Sequence, residues 1–194
     1  MRKGKIVRKT AETSIEVEIN LDGTGKCTID TGVGFFDHML TLLAKHGFFD
    51  LKVKATGDLE TGSHHTVEDC GLALGQALKE AIGTKEGINR YGNVTIPMDE
   101  ALFQVVLDFS GRPFLNWRAE IRPTLIGNME TEMAEEFLRA VAMEAGLTLH
   151  VVEIYGNNTH HKIEAIFKAF ARALAESVAL NPKVKGVMSS KGKL

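Results

Sequence analysis

The 194-residue chain lacks most of the features that place a protein in a class directly. It has two cysteines, Cys27 and Cys70, too few for a disulfide framework and without zinc-ribbon spacing. It has no basic excess: 23 lysines and arginines against 25 aspartates and glutamates give a formal charge of −2, where a nucleic-acid binder ordinarily carries a basic surplus. No apolar run approaches the roughly 18 residues that a bilayer span requires. The basic start, Met1-Arg2-Lys3-Gly4-Lys5, is not followed by the apolar core of a secretory signal. No Pro/Ser-rich linker or low-complexity stretch divides the sequence. With 44% hydrophobic and 25% charged residues, the expectation is a reduced, cytoplasmic, soluble α/β-type protein, partnered with neither membrane nor nucleic acid.

The apolar pattern switches repeatedly between periods of two and of 3.6. Alternation over Ser14–Asn20 and the segment Lys26–Asp30, separated by Asp22-Gly23, predicts a hairpin. Phe35–His46 reads as a helix, Asp50–Ala55 as a strand, and His64–Ile82 as a helix stopped at Gly83. Strands are expected over Asn93–Ile96, Ala101–Phe109 and Phe114–Ile121, confined by Pro113 and Pro123. Helix follows at Glu132–Glu144, strand at Leu147–Ile154, a long helix at His160–Ala179, and an irregular tail from Asn181. The order helix, strand, loop, helix over Phe36–Ala81 recurs over Glu135–Val178. Each loop ends in a hydroxyl residue, in Thr61-Gly62-Ser63 and Asn157-Asn158-Thr159, where an N-cap is expected. The reading is α+β: two duplicated strand–helix halves about a pseudo-two-fold axis, residues 1–92 and 93–194, in one compact unit.

The histidines carry the chemistry. His-His-x-x-Glu opens a helix in each repeat, as His64-His65-Thr66-Val67-Glu68 and His160-His161-Lys162-Ile163-Glu164. Residues three and four apart share a helix face, so each glutamate neighbours both histidines. Adjacent residues diverge by about 100° at 3.6 residues per turn, so the two histidines of a pair do not readily serve one ion. Each is expected to serve a different site, drawing on both repeats or on neighbouring subunits. Imidazole and carboxylate without thiolate favour Mn, Fe, Co or Zn in a catalytic role. His38 in the first repeat, and Glu136 near its equivalent place in the second, are candidates to complete the ligand sets. His46 and His150 have no such partners; His46 beside Gly47 reads as a helix C-cap and His150 as packing along a strand. Asp99 and Glu100 form an acidic pair to which no ligand role is assigned.

Three segments then resemble one family: Asp30-Thr31-Gly32-Val33-Gly34-Phe35-Phe36-Asp37-His38-Met39-Leu40, Gly57-Asp58-Leu59-Glu60-Thr61-Gly62-Ser63-His64-His65-Thr66-Val67-Glu68-Asp69, and His160-His161-Lys162-Ile163-Glu164-Ala165. Together with Phe167–Leu174 and the Ser189-Ser190-Lys191-Gly192 tail, they resemble the imidazoleglycerol-phosphate dehydratases of histidine biosynthesis over nearly the whole chain. The resemblance implies a fold like ribosomal protein S5 domain 2 and dehydration of imidazole glycerol phosphate to imidazole acetol phosphate. It implies two Mn²⁺ ions per active site, other divalent transition metals being possible, and trimers assembled into a 24-subunit shell with active sites between subunits. Metal on the imidazole nitrogens would favour the imidazolate, which could expel the hydroxyl through a diazafulvene-like intermediate. By resemblance the ligands are His38, His64, His65, Glu68, Glu136, His160, His161 and Glu164. Some relatives carry histidine at the place of Glu136, with Glu135 the adjacent choice. Glu12 is the implied proton shuttle, with His38, Glu68 and Glu164 counted among the catalytic groups. Arg90, Arg112, Ser189, Ser190 and Lys191 are the implied phosphate binders, guanidinium suiting phosphate through paired donors. A lone glutamate before a strand or an isolated arginine is otherwise an ordinary surface charge, so these roles rest on the resemblance. A metal-storage protein would leave Arg90, Arg112 and the basic tail without a role, and an RNA-binding module would lack its basic surplus.

Overall fold

The structure, a computed structural model describing residues 1–193, presents the same series of elements twice. The first series is β1 (Lys3–Lys9), β2 (Thr13–Asn20), β3 (Cys27–Asp30), α1 (Gly34–Gly47), β4 (Asp50–Gly57) and α2 (His64–Ile82). The second is β5 (Tyr91–Met98), β6 (Ala101–Asp108), β7 (Phe114–Arg118), α3 (Met133–Ala145), β10 (Thr148–Tyr155) and α4 (Thr159–Val178). A small hairpin, β8 (Leu125–Ile126) with β9 (Met129–Glu130), is inserted before α3. Two mixed four-stranded sheets result, ordered β1-β2-β4-β3 and β5-β6-β10-β7. In each, only the last pair is parallel. The α+β class is as expected from the sequence, and β5 begins at Tyr91, two residues ahead of the expected start of the second half.

Strand alternation buries one face of each sheet: Ile15, Val17 and Ile19 of β2 and Phe103, Val105 and Leu107 of β6 are all nearly inaccessible. The helices fill the space behind these faces. α2 packs on β1 and β2, α4 on β5 and β6, and across the series α1 packs on α4 and α2 on α3. At the centre Phe137 stacks on Phe167 at 5.5 Å and meets Phe36 edge-on at 5.1 Å. Each such pair contributes about 0.5–1.5 kcal/mol beyond its buried area.

The helix directions position everything that follows. His38 lies beside Glu164 while Gly47 lies against Ala171, so α1 and α4 run parallel. Gly71 lies against Phe137 and Gly75 against Val141, so α2 and α3 also run parallel. The β8–β9 hairpin ties the starts together: Asn128 Oδ1 accepts from the Gly34 amide at the start of α1, and Glu130 accepts from the Ser63 amide and hydroxyl at the start of α2. All four helices therefore begin at one end of the molecule. The expected hydroxyl caps do not form. Ser63 turns its hydroxyl to Glu130, and the cap of α4 is Asn158, whose side chain accepts from the His161 amide.

The expected β2–β3 hairpin is also corrected. β4 lies between those strands, because Asp50 at its start accepts from the Thr24 and Lys26 amides and so governs the connecting loop. β1, β8 and β9 were not predicted, and β7 ends at Arg118 rather than Ile121.

Glycine sets the distance between helix and sheet at equivalent places in the two series. A Cβ on Gly4 of β1 would stand 2.0 Å from the Ala77 carbonyl oxygen in α2, and one on Gly92 of β5 would stand 1.9 Å from that of Ala173 in α4. Backbone must move to admit a methyl group. Gly4→Ala and Gly92→Ala are each expected to cost about 1–3 kcal/mol, read as a lowered denaturation midpoint. An unchanged midpoint would contradict the close approach.

Candidate functional site

The common start of the helices gathers the histidines. His38, in the second turn of α1, and His160, in the first turn of α4, each direct Nε2 at the same oxygen of Glu164, at 2.9 and 3.0 Å. Among the described residues these three form the only group of three or more His, Cys, Asp or Glu side chains whose ligating atoms all lie within 4.8 Å of one another. Buried Phe35 backs the group, its ring 4.9 Å from that of His160. Burial acts to raise the Glu164 carboxyl, but hydrogen bonds from Lys168, His38 and His160 outweigh it and hold the pKa at about 2. Lys168 Nζ takes the second Glu164 oxygen at 2.6 Å. Two imidazole nitrogens and one ionised carboxylate converging on a point are a donor set suited to a first-row divalent ion.

The copy of the motif in the first series is arranged alike but less fully. His64 Nε2 lies 3.4 Å from Glu68, again four residues on. Glu136 does not join them; it lies 3.8 Å from Arg139, while Glu135 pairs with the same arginine. Within each pair the two rings are steeply inclined, 69° for His64 and His65 and 87° for His160 and His161. The second histidines turn to other carboxylates. His65 Nδ1 lies 3.0 Å from Asp58, with Glu12 at 3.9 Å, and His161 Nδ1 lies 2.7 Å from Glu100. Those hydrogen bonds raise the pKa of both imidazoles, and His161 holds the Glu100 carboxyl down at about 2.

The cationic candidates sit at the opposite end. Arg90 is buried; it donates to both Asp108 oxygens at 2.6 and 2.9 Å and to the Met188 carbonyl at 2.7 Å, so the tail folds over it. Arg90, Arg112, Ser189, Ser190, Lys191 and Lys193 line a cavity of about 290 Å³. The Arg90 amide bonds to the carbonyl of Ser177 in the last turn of α4, and His160 is in its first turn. At 1.5 Å per residue, about 25 Å of helix separates the two. One chain thus places His38 and its two His-His pairs at one end and its anion-binding candidates at the other.

Four residues at the histidine end carry no site role in the sequence reading, Asp99 and Glu100 being noted there only as an acidic pair. Lys168 is four residues beyond Glu164, a legible helical spacing. Asp58, Asp99 and Glu100 reach their histidines only through the fold, with Asp99 at 3.7 Å from His161 Nε2. His46 is at the end of α1, where burial lowers its pKa, and His150 in β10 contacts Asn116 of β7 at 3.1 Å.

A family model for imidazoleglycerol-phosphate dehydratase matches residues 31–174. The imidazoleglycerol-phosphate dehydratase of Acetivibrio thermocellus is 61% identical over 193 residues, 100% of this chain and 99% of that protein. That of Clostridium acetobutylicum is 58% identical, with 100% and 98% covered. The crystal structure of the Staphylococcus aureus dehydratase superimposes with a TM-score of 0.84 at 44% identity, covering 92% of this chain and 99% of that one. The Pyrococcus furiosus structure, in complex with (S)-C348, gives 0.84 at 36% identity, with 97% and 100% covered. On a match of this extent, the chain belongs to the imidazoleglycerol-phosphate dehydratase family, hydro-lyases of histidine biosynthesis.

Proposed function

We propose that this chain is a cytoplasmic, Mn²⁺-dependent enzyme that dehydrates D-erythro-imidazole glycerol phosphate to imidazole acetol phosphate in active sites built between subunits. The observation that carries the shared-site reading is the length of α4: the histidine end and the cationic cavity of one chain stand about 25 Å apart, farther than a three-carbon phosphate with an imidazole ring can span. A second copy must bring its cavity to the first chain's histidines. The same reading takes the molecule as two halves, 1–92 and 93–194, about a pseudo-two-fold axis in an S5-domain-2-like fold, assembled as a 24-mer. A metal-storage role would leave the cationic cavity without a purpose.

In this reading His38, His160 and Glu164 hold one ion, and His64 and Glu68 begin a second set. His65, His161 and Glu136 complete the two sets, those turned from their own partners doing so across subunits. Bound metal supplies Lewis acidity toward the substrate's imidazole nitrogens, easing loss of a ring proton. The residues do the rest. Glu12, beside His65, takes the proton from the carbon next to the one that loses its hydroxyl, and returns a proton to that leaving group as water. The enol so formed tautomerises to the ketone product. Arg112, Lys191, Ser189 and Ser190 hold the phosphate, and Arg90, fixed by Asp108, anchors the tail that closes on it.

His65→Ala and His161→Ala are each expected to abolish formation of imidazole acetol phosphate and to weaken Mn²⁺ binding. Full turnover in either metal-replete variant would contradict the ligand assignment. Chelation is expected to delay elution on size exclusion as the shell dissociates. An unchanged elution volume would count against ligands that cross subunits.

A further inference from the structure

The second histidines, His65 and His161, are held differently from the first. His64 and His160 meet Glu68 and Glu164 through Nε2. His65 and His161 are bound through Nδ1, by Asp58 at 3.0 and 3.2 Å and by Glu100 at 2.7 Å. A neutral imidazole carries its proton on one nitrogen and its lone pair on the other, so a carboxylate on Nδ1 fixes the proton there and presents Nε2 as the donor atom. Asp99 lies 3.7 Å from His161 Nε2, beyond hydrogen-bonding reach.

The two carboxylates do not come from equivalent places. Asp58 follows β4 directly, whereas Glu100 lies in the turn between β5 and β6. Glu12, in the equivalent turn between β1 and β2, stands 3.9 Å from His65 Nδ1, beyond hydrogen-bonding reach, and Asp58 takes that nitrogen instead. Glu100 is itself fixed, accepting the amides of Asn157 and Asn158 at 3.3 and 2.7 Å, and Asn158 caps the helix that carries His161. We propose that Asp58 and Glu100 are positioning residues that lock His65 and His161 into the tautomer and orientation in which Nε2 binds a metal ion. The proposal rests on the reading of these histidines as ligands given under Proposed function.

The test uses the assembled enzyme, stripped by chelation and titrated with Mn²⁺ alone, free Mn²⁺ being followed by electron paramagnetic resonance. Asp58→Ala and Glu100→Ala are each expected to raise a Mn²⁺ dissociation constant about 10–100-fold with helix content unchanged by circular dichroism. In Asp58→Asn and Glu100→Gln the amide oxygen still accepts the Nδ1 proton without the charge, so the rise shrinks to about threefold to tenfold. This graded rescue distinguishes positioning from a merely structural role. These isosteric variants also carry the test should an alanine variant fail to fold. Affinities within about twofold of the parent in the acid variants, while His65→Ala and His161→Ala lose Mn²⁺, overturn the positioning role alone. Unchanged affinity in the histidine variants as well overturns the ligand reading and this proposal with it.

Discussion

Adjacent residues of an α-helix point about 100° apart, and much of this molecule can be understood from that angle acting on two His-His pairs. A pair cannot converge on one ion, so one ring turns back along its own helix to the glutamate four residues on, and the other turns outward to a loop carboxylate. The fold then supplies what the helix alone cannot. Parallel packing of α1 on α4 brings His38 to the oxygen that His160 already faces. The Glu130 carboxylate, donated by an inserted hairpin, stabilises the start of α2 where a local cap is missing.

The same parallel packing has a cost in reach. Because every helix starts at the histidine end, every helix finishes away from it, and the Arg90 cavity is assembled where α4 finishes. A fold with antiparallel helices could have placed both groups at one end of a single chain. Here the distance is set by the length of a helix, a rigid element, and not by a loop that could close. Association of copies becomes a requirement of the chemistry in the proposed reading, and the charge balance of the chain, near neutral overall, does not oppose it.

Much of this was legible in the sequence, and the misses share a cause. Long amphipathic helices announce themselves, and α1, α2 and α4 fall within two residues of their predicted limits. The duplicated motif identifies the helix starts that matter. Strand pairing is less legible: β2 and β3 are neighbours in sequence, but the Asp50 carboxylate organises the loop between them and β4 takes the place beside β2. β1 was missed because its alternation is masked by lysines on one face and a glycine on the other. In the site, residues tied by helical spacing, such as His160 with Glu164, could be read from spacing alone. Asp58 and Glu100 lie seven and 61 residues from their histidines, and no periodicity links a loop carboxylate to a ring. Glu136 shows the converse, since a matching sequence position left it beside Arg139 and apart from His64.

The claim that one chain's histidines work with another chain's cationic cavity is tested most directly by complementation. His161→Ala and Arg112→Ala chains, each inactive alone, are co-expressed with different tags and the mixed assemblies purified through both. Sites shared between chains predict recovery of about a quarter of parental activity, the fraction of random interfaces that draw an intact residue from each side. Mixed assemblies that contain both chains yet remain inactive would mean that each site is built within one chain, and would contradict the account.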